Sequence, residues 1–268
     1  MRKYYFVASL LPPLRIGNPS DISFSEFMFA CEVNLHKDDL RKVQVLRRYY
    51  DLQNLRLLIA KPQVDEELEK ELDYRGNMDE NTLEEALVAE AGFPQYVYDF
   101  LDKYEDQKDR LAHFPALISE YFSREAADAG GGFLQRYLTF EREWRLVLAG
   151  FRAKKMGRDI SAELQFENPD DDLIRQMLAQ RDAETFEPPD RFRDLKEIFV
   201  EFGDDPLALH QALCEYRFAK IEEMLGTDMF SIDRILGYMA QLITVLKWLE
   251  LDKKKGLQIV KAAVKDVS

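Results

Sequence analysis

A chain of 268 residues and 31.4 kDa, with 46% hydrophobic and 32% charged side chains, can bury a sizeable core, which excludes wholesale disorder. Fifty acidic residues against 37 basic ones give a net charge of −13, which repels phosphate backbones and argues against nucleic-acid binding. Two cysteines, Cys31 and Cys214, lie far apart with no CxxC spacing, so neither a disulfide framework nor a structural zinc site is indicated and a reducing cytoplasm is expected.

The start, MRKYYFVASLLPPLR, is too short and too soon broken by Pro12 and Pro13 for a secretory signal, and no apolar stretch approaches the roughly 20 residues of a spanning helix. YYFVASLL reads as one short extended segment. From there the apolar spacing of three and four residues predicts an all-α chain. Ser23 with Glu26 forms a capping box opening SEFMFACEV, and Asp38 is placed to cap a long helix that Pro62 stops. Asn81 with Glu84 opens a short helix closed near Gly92. Further helices are expected from Pro94 to Asp109, Phe114 to Ala126, Phe133 to Met156 with Gly157 as C-terminal cap, and Asp171 to Gln180. Pro188 and Pro189 mark a loop. Beyond it, helices are expected from Asp190 to Phe202, Pro206 to Leu225 with Asp205 as cap, Ser231 to Leu251, and Lys253 to Lys265.

Gly130, Gly131 and Gly132 free the backbone before a long helix and suggest a linker between residues 1–129 and 130–268, each holding one or more helical lobes. The acid-rich run VDEELEKELDYRGNMDENTLEE reads as a loop or a solvated helix face. Charge alternates along the chain: +4 over Met1–Lys61, −13 over Pro62–Ala129, +5 over Gly130–Arg158, −12 over Asp159–Ile235 and +3 over Leu236–Ser268. Each basic island holds a long apolar helix, and the three look alike. Tyr50, Asp51, Asn54, Leu55 and Leu58 match Phe140, Glu141, Trp144, Arg145 and Leu148, while the third helix starts at Tyr238 and has Leu242 where an acid stands in the others.

Sites for chemistry are sparse. GGGF before a helix lacks the lysine of a phosphate-binding loop. His210 and Cys214 are four apart on a predicted helix but lack neighbours to complete a tetrahedral metal site, and His36 and His113 have no visible triad partners. Asp170, Asp171 and Asp172 sit at a helix start, where the dipole favours them, and Glu222 and Glu223 share a charged helix with Arg217 and Lys220. These acidic pairs leave a helical metal-dependent hydrolase as one alternative; no metal or other cofactor is expected on the preferred reading.

YYFVASLLP at the amino end, followed by FEREWRLVLAGFRAKKMGRDI, resembles the C subunit of A/V-type ATP synthases, a family that includes the d subunit of V-ATPases. The match is best over Tyr4–Pro12, Arg47–Ala60, Phe140–Ile160 and Ile235–Trp248. This chain is shorter than the usual member, has Trp144 where the family pattern suggests Asn, and more closely resembles a short bacterial branch encoded beside V-type ATP synthase components. The resemblance implies an all-helical, non-catalytic piece of two or three similar lobes that links the central rotor stalk to the membrane proteolipid ring during proton or sodium ion transport. It also implies a cytoplasmic location, peripheral to the inner membrane through the complex. On that reading Arg47, Arg48, Arg56, Arg142, Arg145, Arg152, Lys154 and Lys155 form basic ridges for acidic partners. A generic helical protein-binding scaffold is the other alternative.

Overall fold

The computed structural model describes residues 2–61 and 71–265, with side chains to residue 250. The expected stop at Pro62, the acid-rich run as far as Lys70, and the side chains of Lys253 to Lys265 lie outside the described residues or side chains. Among the described residues there are twelve α-helices and no strand, so the fold is all-α. No described helix is long and apolar enough to cross a membrane.

The chain forms two compact units: Met1–Leu40 together with Asp194–Ser268, and Arg41–Arg193. The division therefore does not fall at the glycines. In the first unit, α1 (Tyr5–Leu10) packs on α2 (Phe24–Asn34) and on α12 (Ile232–Lys265), while α11 (Pro206–Glu223) packs on α10 (Asp194–Phe202) and on α12. Helix α3 (Lys37–Ala60) begins here and continues into the second unit. The amino-terminal stretch is helical instead of extended. A lone strand would leave its backbone groups unsatisfied. Here the Ala8 N–H reaches the Tyr4 carbonyl, and the Tyr4 N–H donates to the Phe230 carbonyl at 2.8 Å. The Ser23–Glu26 capping box forms as expected, and Asp205 caps α11 with Pro206 at its first position. The two expected terminal helices are one, continuous through Leu251–Asp252.

The second unit holds α4 (Glu80–Ala89), α5 (Gln95–Lys103), α6 (Gln107–Asp128), α7 (Gly132–Lys155), α8 (Ile160–Glu163) and α9 (Asp172–Leu178). Helices α6 and α7 fold back on each other through Gly130 and Gly131, whose φ values of 65° and 106° favour glycine. The glycines thus join a helical hairpin within one unit and do not separate lobes. Several helix starts and one break differ from expectation, and the helix expected from Asp190 is a 3-10 turn over Asp190–Phe192 followed by α10 from Asp194. Helix α3 begins at Lys37, because the His36 carbonyl accepts the Asp39 and Leu40 N–H groups ahead of Asp38. Asp79, not Asn81, caps α4 by accepting the Thr82 N–H at 2.8 Å. The helix expected over Pro94–Asp109 is divided: Asp106 caps α6, and the Arg110 guanidinium collects the carbonyls of Tyr104 and Leu101 that end α5. Helix α6 then runs through Pro115, which removes one backbone hydrogen bond, because buried Phe114, Leu117, Tyr121 and Phe122 hold both halves in the core.

A short loop over residues 71–79 lies on α3 through buried polar groups. Asp51, 1% exposed, accepts the Asn77 and Met78 N–H groups at 2.5 and 3.1 Å and the Asn77 side-chain amide at 2.6 Å. Asn54 pairs both ways with the backbone of Asp73, and Arg47 donates to the carbonyls of Arg75 and Gly76. Burial raises the Asp51 pKa, and its three hydrogen bonds and Arg47 pull it back only in part. Gly76 is required, as a Cβ there would stand 2.6 Å from the Asp51 carboxylate.

Packing around α7 is equally close. A Cβ on Gly150 would lie 2.7 Å from the ring of Phe186, itself buried and edge-on to Phe151 at 5.0 Å. Gly150→Ala is expected to cost about 1–3 kcal/mol by overpacking. Urea unfolding will read this, and Phe186→Leu in the Gly150→Ala background should recover part of the loss.

Candidate interaction site

The basic residues expected to face partners are, for the most part, engaged inside the second unit. Arg47 holds the 71–79 loop. Arg48 pairs with buried Glu125, which also accepts the Tyr96 hydroxyl at 3.0 Å. Arg142 donates to Glu167 at 2.6 Å and to Asp171 at 2.9 Å. Arg145 donates to the Tyr49 hydroxyl at 2.7 Å, lies 4.3 Å over that ring, and stands 3.7 Å from the buried Glu141 carboxylate. Lys154 donates to the carbonyls of Arg181 and Ala183. A buried acid left without a cation costs more than an exposed pair gains, so these contacts follow from where Glu125, Glu141 and Glu167 sit. Arg152 and Lys155 are exposed at the end of α7, and Arg56 is exposed beside Phe114. Arg56, Arg142 and Arg145 share one cleft.

The repeated pattern in the long helices has a structural counterpart. Asp51 on α3 and Glu141 on α7 are both buried, 90 positions apart, inside the same unit. Among the described side chains of α12 the buried polar residues are Gln241 and Thr244. Gln241 sits one position before Leu242 and donates to Glu222 at 3.0 Å.

The acidic clusters are likewise taken up locally. Asp171 caps α9 and accepts from Arg142, Asp172 pairs with Arg175, Glu222 pairs with Arg234, and Glu223 pairs with Lys220. Among the described residues no three His, Cys, Asp or Glu side chains converge as metal ligands. His210 and Cys214 do meet, Nε2 to Sγ at 3.3 Å, with burial pushing the thiol pKa up. His113 stacks on Tyr104 at 4.3 Å, and His36 pairs with Asp38.

The amino-terminal segment and Phe24–Val33, where exposed apolar residues would point to an interface, do carry them on the first unit. On α1, Val7 points into the core while Tyr5, Phe6 and Leu10 face outward. On α2, Phe24, Phe27, Met28 and Cys31 are buried, whereas Phe29 and Val33, one turn apart on the other side, are 68% and 65% exposed. Met229 and Phe230 are also exposed, and Tyr5 packs on Phe230 with ring centroids 4.6 Å apart. The signal was present: a helical reading of YYFVASLL puts Val7 opposite Tyr5 and Phe6, and FMFACEV is apolar on more than one side.

A family model described as "Protein of unknown function (DUF2764)" matches residues 1–268. The chain belongs to the DUF2764 family. It is 29% identical over 265 residues, covering 96% of each chain, to a protein of Chlamydia trachomatis serovar D described as "Uncharacterized protein". Relatives in Chlamydia muridarum and Chlamydia pneumoniae are each 28% identical, over 99% and 97% of their lengths. No solved structure matches this DUF2764 chain.

The Arg142 cluster gives a pH test. Burial raises the Asp171 pKa, but the Arg142 hydrogen bond and charge and two N-cap hydrogen bonds outweigh it, so the net shift is downward. A carboxyl with a lowered folded pKa adds stability above its unfolded value, about 3.9, that is lost as pH falls through the folded value. Asp171→Asn keeps an N-cap acceptor and removes the ion pair. It should lower stability by about 1–2 kcal/mol at neutral pH. In a urea series from pH 7 to 2 the gap to wild type should close at the acid end.

Proposed function

We propose that this chain is a non-catalytic component or assembly partner of a V-type ATP synthase, seated between central stalk and proteolipid ring through the apolar face of α1 and α2. The observation that carries the docking part is the exposure of Tyr5, Phe6, Leu10, Phe29 and Val33 on two helices packed against each other. Exposed aromatic and aliphatic side chains gathered on neighbouring elements mark interaction surfaces, and buried aromatic anchors carry much of the energy of such contacts. The ATP synthase part rests on the resemblance of YYFVASLLP and FEREWRLVLAGFRAKKMGRDI to the stalk-to-ring adaptor of those enzymes.

The positions that carry that resemblance support a stiff body. Asp51 and Glu141, the acids that follow the aromatic residues in the similar helices, are buried and bonded to their own unit. A piece that transmits torque needs packed helices with few loose charges, and α3 and α7 supply that. On this reading exposed Arg56 and Arg152 remain of the basic ridge, with the apolar face as the main contact.

The experiment is affinity purification of the tagged chain from detergent-solubilised host membranes. Wild type should bring down stalk and ring proteins. Phe6→Asp with Phe29→Asp should reduce their recovery at least about 10-fold, equivalent to 1.4 kcal/mol, with helical circular dichroism and the urea midpoint unchanged. Recovery of no ATP synthase component with wild type would overturn the assembly reading, and equal recovery with the folded double variant would overturn the docking face.

A further inference from the structure

The second unit contains a cleft of about 270 Å³ between α3, α6, α7 and the turn after α8. Its apolar walls are the rings of Phe114, Phe122 and Phe166 with Ile118 and Leu146, and its polar edge carries Arg56, Arg142, Arg145, Glu163 and Glu167. The volume is just under the roughly 300–1,000 Å³ of drug-sized ligand sites, so an occupant is small.

The charges along the edge are not equivalent. Arg142 is neutralised by Glu167 and Asp171, and Glu163 has Arg158 at 3.6 Å. Arg145 is held over the Tyr49 ring, 5.3 Å from the Phe122 centroid, and beside Glu141. Arg56 makes no ion pair among the described residues. Its guanidinium sits 5.9 Å from the centroid of Phe114. The cleft therefore presents an uncompensated cation next to aromatic faces, while Glu163 and Glu167 on the same edge are each paired with an arginine.

We propose that this cleft binds a small aromatic monocarboxylate, its ring against Phe114, Phe122 and Phe166 and its carboxylate on Arg56. An apolar pocket with one placed charge selects its ligand in this way, since the ring gains contact area while the carboxylate is paired and not merely desolvated. A dianionic phosphate ester fits less well, because Arg142 is already paired with Glu167 and Asp171 and Arg56 alone is left to meet two charges. The inference is independent of the assembly reading: it concerns the other unit and needs no partner.

The test uses 3-phenylpropionate, its amide and phenyl phosphate as probes, titrated into the full chain and followed by saturation-transfer NMR and calorimetry. Saturable binding of 3-phenylpropionate is expected, about 10-fold weaker for Arg56→Gln, with the amide weaker on wild type by a similar factor. Arg56 is exposed, so that variant should fold; Ile118→Trp, which fills the cleft, should abolish binding and gives a second readout. No saturable binding up to about 10 mM, well beyond a millimolar Kd, would overturn the proposal. So would equal binding of the amide, tighter binding of phenyl phosphate, or unchanged affinity in Arg56→Gln.

Discussion

Polar groups buried on long apolar helices have to find their partners inside the molecule, and that requirement organises the second unit. Asp51 shows it most plainly. Three N–H donors of Asn77 and Met78 converge on its carboxylate, so the middle of the acid-rich run is drawn onto α3 in one conformation, with Asn54 and Arg47 fixing its backbone on either side. Leaving such a carboxylate without donors would cost several kcal/mol. The glycine at position 76 follows from the same constraint, because no side chain fits between the loop and the carboxylate.

Glu125, Glu141 and Glu167 extend the rule to α6, α7 and the turn after α8, with Arg48, Arg145 and Arg142 as their cations. Arg48, Arg142 and Arg145 of the basic islands thus serve as internal counter-charges of these acids. What remains for outside contacts is of a different kind: exposed aromatic and aliphatic side chains on α1 and α2 of the first unit, and a cleft with Arg56 as its uncompensated cation among the described residues. The two features lie in separate units and ask for separate occupants.

Much of the fold was legible because local rules decide it. The Ser23–Glu26 box, Asp205 with Pro206, Asp171 and the Gly157 end of α7 all appear where side-chain chemistry places them. The misreadings came where tertiary packing overrode local preference. Aromatic and β-branched residues in YYFVASLL favour extended backbone, yet Tyr5–Leu10 is a helix that buries Val7, with Tyr4 buried just ahead of it. Helix α6 was expected to start at Phe114, yet it starts at Gln107 and runs through Pro115, whose neighbours Phe114 and Leu117 are core. The glycine triplet reads as a linker, yet it closes a hairpin. Side-chain direction was the hardest to read: a lysine or arginine on an amphipathic helix has the same sequence signature whether it meets solvent or a buried glutamate 77 positions away, as Arg48 does.

Arginine reactivity in the native chain bears most directly on this account. Phenylglyoxal labelling followed by peptide mass spectrometry should modify exposed Arg152 readily, while Arg48 and Arg142, whose side chains are 20% and 15% exposed, react only after denaturation. Modification of Arg48 and Arg142 at the rate of Arg152 in the folded chain would contradict it, since the long helices would then present their charges outward.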